Sequence, residues 1–361
     1  MTTHATPVAP PPPLARNRSF RLLWFGESVS VLGNATTSTL LPLVAVVGFD
    51  AGPGWMGILT AAAWVPWLVV GLPAGAWVDR LPPRRVMIVS DLAAGLALVS
   101  VPVAGLFHML TLPQLALVAF VNGGATVFFR AAYPALVRQV APREQQESAF
   151  ARLFGSESAM EVAGPGLGGL VAQVASAAGG LVLDTASFLV SAVCLWRLKL
   201  PPQDTSVEAT AAAPLRERIR EGIDYLRHDQ LLRFFTVVGS VSNFGLTGCT
   251  TLLVLFLVRE VHLSSWAVGL VLAAQSFGGV IGASIATRVS RWLGSARALL
   301  VLQVLAGPPA LLTPLGSRGA GLVAMVAGLM LVGIGVVAGN IVRGAWRNRY
   351  VPEHLVARQV T

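Results

Sequence analysis

Carboxylates are scarce in this sequence, 17 Asp and Glu among 361 residues, and Glu27, Glu157 and Glu161 fall inside apolar runs long enough to cross a bilayer. A carboxyl group so placed is costly unless it is paired or wet, and the chemistry it offers is reversible proton binding. Glu161 stands twelve residues beyond the start of its run near Ala149. At about 1.5 Å per residue that is roughly 18 Å, near the bilayer middle. Glu157 lies one turn shallower on the same face, where it can share or pass a proton with Glu161, or snorkel to the surface. Glu27 lies roughly 10 Å into its run, with Asn34 seven residues on and nearly on the same face. The two either present an acid and an amide to a cavity or make one hydrogen bond to another helix. Asn243 and Gln275 are further candidate cavity donors. Arg130, near the end of its run, reads as a snorkelling cation, and Asp184, at the start of its run, as a cap or interface residue.

The elements that must position these groups follow from composition. Hydrophobic residues are 54% of the chain and charged ones 12%, too apolar for a soluble domain of this length. An all-α membrane protein is expected, with spans near 20–47, 55–78, 86–107, 112–133, 152–175, 179–198, 233–258, 266–287, 296–315 and 320–342. The first is long enough to tilt or to end non-helically near Pro42. Residues 1–19, Pro-rich and polar without a signal-peptide pattern, read as a disordered cytoplasmic tail.

The formal charge of +9 would suggest nucleic acid in a soluble protein, but here topology accounts for it. With the N-terminus inside, 23 of the 26 Lys and Arg fall in cytoplasmic segments, against Arg259 and Arg318 outside and Arg130 within a span. That asymmetry predicts a multi-pass protein of the cytoplasmic membrane. The most sharply marked cytoplasmic turn is 75–85, GAWVDRLPPRR, where an apolar run ends in an acid and cations. A carboxylate at a membrane boundary seeks a cation or a helix N-terminus, so Asp79, beside Arg80, can make a contact that stores a switchable energy when the halves move. Arg84 and Arg85 stand with them in the turn, and positive-inside topology alone explains them.

Residues 201–232 divide the chain: a linker, PPQDTSVEATAAAP, then a basic amphipathic helix, RERIREGIDYLRHDQLLR, suited to the membrane surface. An internal repeat spans this divide. Pro142 pairs with Pro352 and Gly123 with Gly333 at an offset of 210 residues, while Trp55-Met56-Gly57-Ile58 resembles Ala267-Val268-Gly269-Leu270 at 212. GASIATR echoes GAWVDR, with Ala286 in the place of Asp79. The expected units are a six-helix bundle at 20–200, the linker at 201–232 and a four-helix, incomplete bundle at 233–361.

The two-half pattern, the GxxxDR turn and the segments FRLLWFGESVSVLGN, PALVRQVAP, GPGLGG, DTASF and EGIDYLRHDQLLR resemble the major facilitator superfamily, in its enterobactin-exporter-like and macrolide-efflux-like branch. The resemblance covers about residues 18 to 361. It implies two helical bundles around a central cavity, with Gly75 permitting close helix packing while Asp79 and Arg80 form a charged latch. Gly164, Pro165, Gly168 and Gly169 match the GPxxGG core of the family's antiporters. There Pro bends the helix and Gly admits a close neighbour, which serves as a gate or as packing alone. One departure concerns proton coupling, since Ala119 stands where those antiporters often carry an Arg three residues before span four's Gln-Gly, here Asn122-Gly123.

The implied function is secondary active export of an amphipathic small molecule of the drug, macrolide or siderophore class, proton-coupled and by alternating access. The alternative is a non-transporting sensor or an inactive truncated remnant. No enzyme is expected: the only Lys, Lys199, follows Leu198 rather than a P-loop Gly, the five His are scattered, and no catalytic triad stands out. Expected partners are a small-molecule substrate, protons and lipid, with no cofactor, no metal, no nucleic acid and a monomeric state. By the repeat, two spans of an expected twelve would follow residue 361, and Gly328, Gly333, Gly335 and Gly339 are expected to lack neighbouring helices.

Overall fold

The computed structural model describes residues 14–78, 80–200, 228–316 and 319–350. Asp79, the tail before Leu14, the linker at 201–227, residues 317–318 with Arg318 among them, and residues 351–361 lie outside the described residues. The described residues form ten α-helices: α1 Arg18–Leu43, α2 Pro53–Val78, α3 Pro83–Leu106, α4 Leu112–Val140, α5 Gln146–Ala175, α6 Ala177–Trp196, α7 Gln230–Arg259, α8 Ser265–Leu293, α9 Ser295–Ala306 and α10 Ala320–Tyr350. They gather into two bundles, the arrangement that the resemblance implies.

Local chemistry explains where these helices begin. Asn17 caps α1 by accepting from the backbone N–H of Ser19 and Phe20, and Thr111 caps α4 just before Pro113 in its first turn. Past Pro42, which cannot donate to the ladder, α1 widens into a π-helical turn at Val44–Gly48.

Among the described residues, eight segments are long and apolar enough to cross a membrane. Two of the ten expected spans fall outside that class for different reasons. Helix α5 is 30 residues long but carries Glu147, Arg152, Glu157 and Glu161. The ninth segment is not one helix: α9 stops at Ala306, and Gly307-Pro308-Pro309 turns the chain into a 3-10 stretch at Pro308–Leu315. The large apolar side chains left outside, such as Leu68, Leu96, Val174 and Phe244, suit lipid rather than water.

In the first six helices, α1 packs on α5 and α6, α3 on α4 and α6, and α2 on α4. Two apolar clusters lie toward opposite ends of this bundle. One gathers Leu40, Val44, Met56, Leu98, Leu115 and Leu181; the other gathers Phe20, Leu23, Met87, Leu136, Leu153 and Leu195. The polar layer described below lies between them.

The repeat has a structural counterpart. A Cβ on Gly123 of α4 would stand 2.3 Å from the carbonyl oxygen of Ala63 in α2, and one on Gly333 of α10 would stand 2.3 Å from that of Gln275 in α8. Gly123 and Gly333 are repeat partners at 210 residues, and Ala63 and Gln275 are partners at 212. Each half therefore brings the same two helices to backbone contact at the same place.

The expectation that α10's glycines would lack neighbours is overturned. A Cβ on Gly328 would lie 2.6 Å from the Pro309 oxygen and one on Gly335 2.5 Å from the Ala306 nitrogen, while Gly339 faces Leu302. The bent ninth segment packs along this stripe, leaving Gly333 for α8.

Candidate functional site

The polar residues of the first bundle converge on a cavity of about 390 Å³. From α1 come Glu27, Ser30, Asn34 and Ser38; from α3, Ser90 and Asp91; from α4, Thr126 and Arg130; from α5, Glu161. Apolar walls are supplied by Val31, Ala94, Phe129, Pro165 and Phe188. A second cavity of about 280 Å³ is lined by α5, α7, α8 and α10, and includes Gln275. Glu161 and Ser276 line both. Glu161 is exposed at that junction, so it faces the space between the bundles rather than the interior of one.

Arg130 does not simply snorkel. Its guanidinium donates to Glu157 Oε1 at 2.6 Å, joining α4 to α5, and this pairing turns Glu157 away from an exclusive partnership with Glu161. Glu157 is 16% exposed and Arg130 52%, so the acid is the more enclosed partner.

Asp91 was missed in the sequence, although an acid near the start of the apolar run 86–107 was a sufficient signal. It is 1% exposed, and its Oδ2 has no hydrogen-bond partner among the described residues. Glu27 Oε2 is likewise buried and without a partner. Each acid thus has one oxygen buried in protein and without a hydrogen-bond partner among the described residues.

Asp184 is not a cap. Helix α6 starts seven residues earlier at Ala177, and its first turn is capped by Ser176 accepting from Gly179. Asp184 is 1% exposed against α1, where it accepts from Thr37 Oγ1 at 2.5 Å and from Ser187 at 2.8 Å. Gly33 provides the room, since a Cβ there would overlap both Asp184 and Ser187. Asn243 is exposed on α7 and lines neither cavity.

Residues 164–169 are divided between two neighbours. A Cβ on Gly164 would be 2.3 Å from Ala35 Cβ and one on Gly168 2.8 Å from the Thr36 oxygen, so both press α5 onto α1. Gly169 faces the opposite bundle: its Cβ would lie 2.5 Å from the Ser265 oxygen and 2.7 Å from Gly269 Cα in α8. Pro165, between them, lines the first cavity.

Contacts between the bundles lie toward the end carrying the α1–α2 and α7–α8 turns. There Arg259 donates to the Asp50 carboxylate, to the Asp50 carbonyl oxygen at 2.7 Å and to the Ala51 oxygen at 3.2 Å. Thr251 donates to Thr60 at 3.0 Å nearby, and Leu43 packs with Leu253, Leu257 and Val268.

At the other end, in the turn 75–85, Asp79 lies outside the described residues, Gly75 is half-buried, and Arg80 and Arg85 are exposed. Arg84 has a defined role that topology alone does not supply. Its guanidinium donates to the carbonyl oxygens of Leu195, at 2.7 Å, and Trp196, which satisfies the C-terminus of α6.

Comparison with known proteins agrees with this architecture. The chain is 27% identical over 296 residues to the multidrug efflux pump Tap of Mycolicibacterium fortuitum, covering 79% of this chain and 70% of that protein. It is 22% identical over 228 residues to macrolide efflux protein A of Streptococcus pyogenes, covering 62% of this chain and 55% of the relative, so it spans little more than half of that protein's length. The fold is similar, with a TM-score of 0.69 at 18% identity, to the crystal structure of a bacterial homologue of the iron transporter ferroportin in an inward-facing state, covering 94% and 86% of the two chains. The family model described as Major Facilitator Superfamily matches residues 23–361, and with that match the chain belongs to this family of multi-pass membrane transporters.

Proposed function

We propose that this chain is a secondary active exporter of amphipathic small molecules, driven by protons and working by alternating access. The observation that carries the reading is the 390 Å³ cavity, where apolar walls enclose Glu27, Asp91 and Glu161 at membrane depth. Ionisable side chains are retained in such a place when a pathway uses them. Similarity to a multidrug efflux pump and a macrolide efflux protein supports the export direction. Asn34 and Gln275 serve as polar contacts for cargo in this reading. The working units are the first bundle at 20–200, the linker at 201–232 and the second bundle from 233, in a monomer.

The division of 23 Lys and Arg against two supports an N-terminus in the cytoplasm and a place in the cytoplasmic membrane. The end closed by Arg259, Thr251 and the Gly169–Gly269 contact is then extracellular, and the cavity is reached from the cytoplasm. During turnover the bundles rock so that this end opens, and the turn holding Gly75, Asp79 and Arg80 closes the other.

The test is efflux of a panel of dyes and antibiotics from cells expressing the chain, with and without a protonophore. Export that the protonophore stops supports the reading, and no efflux at verified expression defeats it. Glu161→Gln keeps the side chain's shape but cannot titrate, and is expected to lower uphill export at least tenfold with membrane insertion unchanged. Undiminished uphill export by that variant removes Glu161 from coupling.

Arg259→Ala is expected to favour the outward-open state. The ion pair with the exposed Asp50 side chain adds little, so the effect comes mainly from the two carbonyl contacts, about 1 kcal/mol or roughly a fivefold change in population. It can be read as faster labelling of a Ser38→Cys variant by an impermeant maleimide added outside. Cys249 is exposed and must first be replaced; Cys194 is buried. An unchanged labelling rate would show that this contact does not hold the outer end shut.

A further inference from the structure

We infer that the pocket between the start of α1 and the ends of α4 and α6 holds the phosphate of an anionic phospholipid from the adjoining leaflet, bound by Arg138 and Lys199. The site is separate from the cargo cavity. It rests on the orientation proposed above and not on export.

The pocket encloses about 460 Å³, more than either cavity described above. Asn17 and Ser19 line it from the start of α1, Arg138 from the last turn of α4 and Lys199 from just past α6. Two long-range hydrogen bonds fix its frame. Asn17 Nδ2 donates to the Val140 oxygen at 3.1 Å, and Ser19 Oγ donates to the Lys199 oxygen at 2.8 Å, across 123 and 180 positions of the chain. Leu14, Phe20, Val140 and Leu198, from the same segments, pack into one buried cluster. The rim is therefore built rather than incidental.

Its charge is uncompensated. Among the described residues, neither Arg138 nor Lys199 makes a side-chain hydrogen bond or an ion pair, and both are exposed. A cation at a helix C-terminus can be explained by the last carbonyl groups, but at α6 those are answered by Arg84. No Asp or Glu is among the described residues that line the pocket. Arg18 and Arg21 stand beside it in the first turn of α1, where the helix dipole disfavours cations. This excess of positive charge suits an anion from outside the chain.

Depth identifies the source. Trp196, just before Lys199 in the chain, is 69% exposed, and an exposed Trp at the end of a span marks the headgroup layer. Phe25, further into α1, is 59% exposed, as a lipid-facing side chain would be. A phosphodiester at this level presents acceptor oxygens to a guanidinium and an ammonium together, while its acyl chains stay in the bilayer. The cytoplasmic leaflet is also the one that carries anionic lipid.

The full chain would be released from nanodiscs of phosphatidylglycerol and phosphatidylcholine in equal amounts, and its retained lipids counted by native mass spectrometry. A preference for phosphatidylglycerol is expected, falling at least tenfold in Arg138→Gln/Lys199→Gln, since each cation near the membrane surface contributes roughly fivefold in affinity. Lys199→Arg keeps the charge and is expected to stay within about twofold of wild type. Arg288→Gln/Arg291→Gln removes the same charge from exposed positions of α8 and is expected to leave the preference unchanged. Equal loss in the two double variants, or a preference retained by Arg138→Gln/Lys199→Gln, overturns the proposal.

Glycerol 1-phosphate carries the phosphate without acyl chains and separates a lipid from a soluble phosphate ester. It is expected to compete at least a hundredfold more weakly than phosphatidylglycerol. Competition at equal strength would overturn the lipid assignment. Both leaflets of a nanodisc carry the lipid, so the site and the orientation fail separately: retention by a chain whose N-terminus proves extracellular in cells would leave the site standing and defeat the orientation.

Discussion

Gly169→Leu and Gly269→Leu are each expected to reduce transport about a hundredfold at equal expression. These glycines bring α5 and α8 together at backbone distance: a Cβ on Gly169 would lie 2.5 Å from the Ser265 oxygen, and one on Gly269 2.5 Å from the Pro165 oxygen. The obstructing atoms are main chain of two long helices, which cannot rotate aside as a flexible side chain can. Overpacking typically costs about 1–3 kcal/mol, and a contact this close belongs at or above the upper end. About 3 kcal/mol against the state closed at this end shifts its population roughly a hundredfold.

Sequence similarity provides the control. Gly57 of α2 is the repeat partner of Gly269, yet a Cβ there would meet nothing within 4 Å. Gly57→Leu is expected to leave transport within about twofold of wild type, because exposed positions away from packed contacts tolerate substitution. Initial efflux rates for the three variants, with surface expression measured in parallel, check the prediction. Comparable losses at positions 57 and 269 would mean that bulk alone, rather than the α5–α8 contact, is responsible.

Arg130→Leu is expected to lower transport at least tenfold and to destabilise the first bundle. Glu157 is the enclosed partner of the pair, so removing the guanidinium leaves a carboxylate in poor contact with water. The full penalty of a buried unpaired charge does not apply, because Arg130 itself is 52% exposed and screened. A loss of about 1–2 kcal/mol in thermal stability is the corresponding expectation. Adding Glu157→Gln removes the stranded charge and should recover most of that stability. Transport should recover less, since Arg130 also faces the cavity next to Glu27. A double variant no more stable than Arg130→Leu alone would show that the ion pair contributes nothing to the bundle.

Several parts of the site were legible because they depend on depth rather than direction. Glu27, Asn34 and Glu161 sit well inside runs whose length locates them, and all three line the cavity. Asn243 satisfied the same test of depth but is exposed on α7, away from both cavities. Depth places a residue along the membrane normal, whereas the rotation of its helix decides what it faces. In a soluble helix, the apolar stripe reveals that rotation. Here lipid and protein core are both apolar, so the stripe is nearly erased.

The amino-acid sequence by itself determined the membrane class, the approximate positions of ten helices, the repeat between halves and the set of polar residues that had to be accommodated. Each of these follows from run length, composition or spacing along one chain. Only the tertiary structure decided which polar residues meet. Arg130 finds Glu157 on the next helix, Asp184 finds Thr37 across 147 positions, and Asp91 joins Glu27 in one cavity. It likewise separated Gly57 from Gly269, two positions alike in sequence of which only one lies against another backbone. The physical reason is that helix rotation and crossing are set by close packing of small residues and by long-range polar pairs, whose partners lie on other helices.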